Sequence, residues 1–287
     1  MKMKIANKTF VVTGGGNGIG RELVLQLLGM GARVAAVDID EKALEETRNL
    51  AGNLEDRLSL HALNIADRNA VEALPASVLA AHGSVDGLIN NAGIIQHFVR
   101  FNDLLLSEVD RVMNVNFYGT LYLTKVFLPH FLERPEAHIV NVSSMGGFLP
   151  VPGQTIYGAS KAAMKLFTEG LHSELLDTNV GVTIVFPGAI GTNIAANSGI
   201  KVMTGQEDVK AKYKTTSPVA AAAEIITGIE KKKYRVLIGS DAKMMDLLSR
   251  LMPERAAKII YTQMKALLDS QRKPNVKTGP SQQPRSL

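Results

Sequence analysis

The stretch "KTFVVTGGGNGIG", residues 8–20, decides the fold. Residues 8–14 read as a strand, because Phe10, Val11 and Val12 form an unbroken apolar run of the kind buried on both faces of a parallel sheet. A glycine-rich turn follows at once, and a helical stretch over 18–29 opens inside it. Gly14 permits a tight turn, Gly18 lets a pyrophosphate approach the backbone, and Gly20 lets the helix pack close on the strand. The helix N-terminus, with Asn17 and Ile19 in the same turn, supplies N–H donors for phosphates. A glycine-rich turn alone is equally a surface loop. Straight after the first strand and at the opening of the first helix, it points to dinucleotide binding.

The same alternation continues along the chain. Strands are predicted at 8–14, 33–38, 57–64, 85–93, 137–144, 180–188 and 234–239, with helices at 18–29, 41–50, 67–82, 107–133, 155–177 and 217–230. The expected fold is α/β, a doubly wound parallel sheet of about seven strands with helices on both faces. Ligands of such a sheet bind outside the carboxyl ends of the strands, so each functional motif should sit just after one. The expected organisation is one catalytic domain over 1–240, with a substrate lid near 189–215. A helical extension at 241–269 packs on the same domain, and a disordered basic tail occupies 270–287.

Charge agrees with that division. The net charge is +5, but four basic residues and no acid lie beyond residue 270 (Arg272, Lys273, Lys277, Arg285), so the body is nearly neutral. The tail lacks the interleaved aromatics of a nucleic-acid surface, and no nucleic-acid partner is expected. There is no cysteine, which excludes disulfides and thiolate metal clusters. The six histidines show no ligand spacing, so no metal is expected. The N-terminus has no apolar run of signal-peptide length, and a cytoplasmic location is expected.

Several strand ends carry polar groups. Asp38, eighteen residues beyond Gly20, can accept both hydroxyls of an adenosine ribose and would repel a 2′-phosphate, which favours NAD over NADP. Asn64 and Ile65 end the third strand, and "NNAG" (90–93) ends the fourth, bringing Asn91, Ala92 and Gly93 to the same rim. After the fifth strand, Ser144 can hydrogen-bond a substrate carbonyl. After the sixth, the Pro187–Gly188 turn of "PGAIGT" can cover a nicotinamide, with Ile190 beside it and Thr192 within reach of the carboxamide.

In "TIYGASK" (155–161), Tyr157 and Lys161 stand at i and i+4 and share a helix face. An ammonium about 5 Å from a phenol, at an effective dielectric of about 20, favours the phenolate by roughly 3 kcal/mol, or about two pKa units. On spacing alone the pair is more often a helix-stabilising surface contact. Together with the strand-end motifs it reads as a tuned acid/base.

Taken in order, "TGGGNGIG", Asp38, "NNAG", the Asn of "NVNFYG", "NVSS", "YGASK" and "PGAIGT" resemble the short-chain dehydrogenases/reductases with a single Rossmann domain. The resemblance spans about residues 8 to 192. It implies that Tyr157 is the acid in ketone reduction and the base in alcohol oxidation. Lys161 would depress the Tyr157 pKa and bind the nicotinamide ribose, and Ser144 would orient the substrate oxygen. Asn116 would hold a water linking the lysine to solvent; residue chemistry alone does not separate it from Asn114, and the motif match decides. Where the family usually has Asp this chain has Asn64, which can still accept from the adenine amino group.

The expected activity is an NAD(H)-dependent interconversion of a secondary alcohol and a ketone; the alternative is a non-catalytic NAD-binding scaffold or sensor with the same fold. The loop 145–154 and the segment 189–215 are the expected substrate walls, with Met145, Phe148, Gln154 and Ile194 as candidate contacts and a hydrophobic alcohol or ketone as substrate. Apolar residues recur at helical spacing on either side of Pro253, from Met244 to Leu268. They are read as packing on the core or a partner, in preference to contact with a membrane surface. The resemblance implies a homodimer or homotetramer through the two long helices.

Overall fold

The computed structural model describes residues 2–192, 194–200 and 215–270. Seven strands form one parallel sheet: β1 Thr9–Thr13, β2 Arg33–Asp38, β3 Leu58–Ala62, β4 Gly87–Asn90, β5 Ala137–Val142, β6 Val180–Pro187 and β7 Arg235–Ile238. Their spatial order is β3-β2-β1-β4-β5-β6-β7, so the direction of winding reverses between β1 and β4. The carboxyl ends of those two strands define the switch point at which such sheets bind ligands.

Alternation along the strands assigns the two faces. Phe10, Val12, Val34 and Ala36 point to the side covered by α1 (Gly18–Gly29) and α8 (Pro218–Glu230), where they meet Leu23, Leu27 and Ile225. Val11, Ala35, Val37 and Leu88 point to the other side, against α3 (Arg68–His82), α5 (Thr120–Leu132) and α6 (Thr155–Glu174), meeting Val78, Phe127 and Phe131. All the side chains named here on these two faces are buried. Burying each of the larger ones contributes roughly 1.5–3 kcal/mol. This makes the sheet a rigid platform for the loops at its edge.

Two differences from the sequence reading stand out. The helix predicted at 107–133 is divided into α4 (Leu106–Met113), a π-helical turn (Asn114–Gly119) and α5. A π turn holds an extra residue, a local widening that 3.6-residue periodicity does not reveal. Secondly, the fourth strand ends at Asn90, and Asn91–Gly93 leave the sheet. The C-terminal apolar residues on either side of Pro253 lie, as their helical spacing implied, on α9 (Ser240–Leu251) and α10 (Pro253–Ser270). Their inner stripe, including Met245, Ala256 and Ile260, packs on Leu149, Met145 and Phe148 of this chain. Met244, Leu247 and Leu251 stay exposed. Helix α2 is Glu41–Ala51, and the short α7 is Ile194–Asn197. Much of the expected lid, 201–214, and the tail from 271 lie outside the described residues. Among the described residues no helix is long and apolar enough to cross a membrane.

Candidate functional site

A cleft of about 570 Å³ opens at the switch point. Gly14, Asn17, Gly18, Ile19, Asp38, Asn64, Ile65, Asn91, Ala92, Gly93, Ser144, Tyr157, Lys161, Pro187, Gly188, Ile190 and Thr192 all line it. Of the predicted site residues, Gly20 and Asn116 stand behind the wall. Leu63, Ile94, Arg111 and Val115 join it without having been predicted, and Asn197 comes from the segment expected as a substrate wall.

At the nucleotide end, close approach is built in. A Cβ on Gly20 would collide with the Gly14 carbonyl and come within 2.7 Å of Asn91 Nδ2. Gly14 and Gly18 take φ of +69° and +53°, which favours glycine. Asn17 occupies the N-cap of α1 without a side-chain cap bond, so no side chain competes there for the first-turn amides. The Asp38 carboxylate accepts from Gly16 N (2.9 Å) and Asp40 N (3.1 Å) and faces the cleft. Arg21, a cation near this turn, is engaged by Gly16 O of the turn itself, by Thr47 and by Glu46. Asn64 Oδ1 accepts from Ala66 N (3.0 Å), closing a local turn, and retains a second lone pair. These features fit a dinucleotide: a cradle that a Cβ would fill, helix amides for a pyrophosphate and a carboxylate for ribose hydroxyls.

At the other end, Ser144 and the Tyr157 ring flank Gly146, and Ser144 Oγ accepts from Gly146 N (3.1 Å). Lys161 is buried and its ammonium donates to Val142 O (2.9 Å). Ser143 Oγ donates to Lys161 O (2.8 Å), tying the same residue to the strand end by its backbone. Asn116 sits in the π turn, where its side chain accepts from Ile94 N (2.8 Å) and donates to Ile94 O (2.9 Å) and Ser160 Oγ (3.0 Å). A Cβ on Gly93 would lie 3.1 Å from Lys161 Nζ and 3.3 Å from Asn116 Oδ1, so Gly93 separates two groups that approach the same point.

The electrostatics differ from the sequence expectation. Burial pushes the Tyr157 phenol above its ordinary range, with the Ser144 hydroxyl opposing. Lys161 is itself brought down to about 8 by burial. Desolvation therefore sets the direction of both shifts.

Of the four candidate substrate contacts, one stands at the cleft and three take other roles. Ile194 lines the cleft. Met145 and Phe148 pack under the C-terminal helices, and Gln154 donates to Gln96 O (2.8 Å). Sequence reasoning also missed Asp241, which accepts from Ala189 N (2.7 Å) and crowds Gly188, bracing the turn after β6 from helix α9. An acidic residue opening a helix beside a strand end was the available signal.

The sheet order, with a cleft at its switch point, defines an α/β protein of Rossmann type. The model of the short chain dehydrogenase family matches residues 8–202, and the chain belongs to that family of oxidoreductases. It is similar to SadH of Mycobacterium tuberculosis, with 38% identity covering 85% of this chain and 91% of the relative. It is 33% identical to the mouse dehydrogenase/reductase SDR family member 7B, covering 90% and 84%. A Burkholderia phymatum short chain dehydrogenase/reductase solved in complex with NAD superposes with a TM-score of 0.77 at 24% identity, covering 87% of this chain and 96% of that one. A Burkholderia cenocepacia short chain dehydrogenase in complex with NADP gives 0.75 at 23%, covering 90% and 99%.

Proposed function

We propose that this protein is an NAD(H)-dependent oxidoreductase that interconverts a hydrophobic secondary alcohol and its ketone. The observation that carries the reading is a single cleft with Ser144, Tyr157 and Lys161 at one end and the glycine turn with Asp38 at the other. When bound, the nicotinamide supplies the hydride-transfer chemistry.

The chain's residues do the rest. Tyr157 gives a proton to the carbonyl oxygen in reduction and takes one from the hydroxyl in oxidation. The Ser144 hydroxyl donates to that same oxygen and holds it against the phenol. The raised Tyr157 pKa suits proton donation to a ketone, and a positive Lys161 favours the phenolate needed for oxidation. Asn116 positions the Ile94 segment that forms the wall beside Lys161. Asp38 supports the preference for NAD, since a carboxylate at the ribose repels a 2′-phosphate. Ile94, Ile194 and Val142 give the cleft apolar lining suited to a hydrophobic substrate. By resemblance to its family, the protein works as a homodimer or homotetramer.

The test is a panel of secondary alcohols with NAD and NADP, followed by nicotinamide absorbance. Turnover with NAD well above that with NADP is the expected result. Faster turnover with NADP would contradict the cofactor assignment.

A further inference from the structure

Helix α6 carries both Tyr157 and Lys161, yet its N-cap residue, Gln154, makes no side-chain cap bond. First-turn amides need an acceptor, and when the N-cap does not supply one it must come from elsewhere. It comes from Gln96, distant in sequence and fully buried. Gln96 Oε1 accepts from Ile156 N (2.8 Å) and from Tyr157 N (3.1 Å), so one oxygen meets two first-turn amides, including that of the proposed acid/base. Its Nε2 donates to Gly153 O (3.1 Å), and its own carbonyl accepts from Gln154 Nε2 (2.8 Å).

Four hydrogen bonds thus tie the segment after "NNAG" to the start of the helix. The Gln96 neighbourhood is held from outside as well. Gly153, at φ +81°, lies against Phe98 and Leu268, and Arg100 pairs with Asp269 of α10 (3.2 Å). The same segment meets the cleft wall at Ile94, the partner of Asn116.

We propose that Gln96 is a positioning residue. It serves as the missing cap of α6 and fixes where Tyr157 stands relative to Ser144. The proposal rests on the reading of Tyr157 as the acid/base. An angstrom-scale displacement of a reacting group costs about 100-fold in rate, and a helix start without an acceptor is free to shift by that much.

The experiment compares the full-length chain with Gln96→Met, which keeps the bulk and removes the acceptor, and with Gln96→Glu, which keeps it. A carboxylate at a helix N-terminus is stabilised by the two amides it accepts from. NADH affinity is measured by fluorescence, steady-state rates are measured on a ketone that the parent reduces, and Tyr157 is titrated through its phenolate absorbance as the difference from matched Tyr157→Phe chains. For Gln96→Met we expect kcat to fall about 10- to 100-fold, NADH affinity to hold within about threefold, and the Tyr157 titration midpoint to move. Gln96→Glu, which keeps the acceptor for Ile156 N and Tyr157 N and gives up the donor to Gly153 O, should recover part of kcat.

An unchanged kcat and midpoint in Gln96→Met would overturn the proposal. So would equal loss of NADH binding in both variants, which would mark Gln96 as a general fold residue. If the parent reduces nothing, the proposed function fails, while the phenolate titration still tests the cap. A moved midpoint then upholds the positioning role, and an unmoved one rejects it.

Discussion

Lys161 donates its ammonium to the Val142 carbonyl across 2.9 Å, so the end of β5 holds this cation in place beside Ser144. Burial brings the lysine down to about 8, while burial raises the phenol of Tyr157. Removing the positive charge leaves the phenol still harder to ionise. Lys161→Met should slow alcohol oxidation by at least about 100-fold near neutral pH, with the rising limb of its pH–rate profile displaced to higher pH. A profile with an unmoved limb would deny the electrostatic role.

Glycine substitutions separate the cradle from ordinary helix. Gly20→Ala drives a methyl into the Gly14 carbonyl, and cofactor binding should be lost or the fold weakened by about 1–3 kcal/mol. Gly29, at the end of the same helix, has open space where a Cβ would go. Gly29→Ala should be neutral or stabilise by up to about 1 kcal/mol. Urea unfolding together with NADH titration reads both.

Asp38 meets Gly16 N and faces the cleft. Asp38→Ala should weaken NADH binding by about tenfold or more and NADPH binding much less, because the repulsion of a 2′-phosphate goes with the carboxylate. Paired fluorescence titrations check this; equal weakening of both would contradict the ribose role.

His138 gives a pH signature remote from the cleft. It is buried in β5 against Thr183 (2.8 Å), and burial lowers its pKa from 6.5 to about 3. Above pH 6.5 both folded and unfolded chains hold it neutral. As pH falls from 6.5 towards 3 only the unfolded chain takes the proton, so stability declines by up to about 1.4 kcal/mol per unit. His61 and His82, both lowered chiefly by burial, add in the same direction. Denaturation between pH 7 and 5 should show the decline, and His138→Gln should flatten it; parallel curves would refute the assignment.

The sheet, its winding and most of the cleft wall were legible in the sequence because each depends on local pattern. Apolar runs mark buried strands, and polar residues just after them mark the rim. The π turn at Asn116 was not legible, since one extra residue does not disturb periodicity enough to read. Gln96 escaped for a different reason: "IIQHF" carries no motif, and its partners Ile156 and Tyr157 meet it only once the chain has folded. The reversal at Tyr157 was hidden too, because desolvation depends on tertiary burial that spacing does not report.

On the proposed function, this cleft performs hydride chemistry with Tyr157 as its proton donor. The most direct measurement compares the parent with Tyr157→Phe, first for NADH affinity by fluorescence and then for reduction of a panel of hydrophobic ketones. NADH affinity within about threefold of the parent, with reduction slowed by at least about 100-fold, is the predicted result. Undiminished reduction in Tyr157→Phe, or NADH binding by the parent with no reduction of any ketone, would contradict the claim; the latter result would favour an NAD-binding sensor.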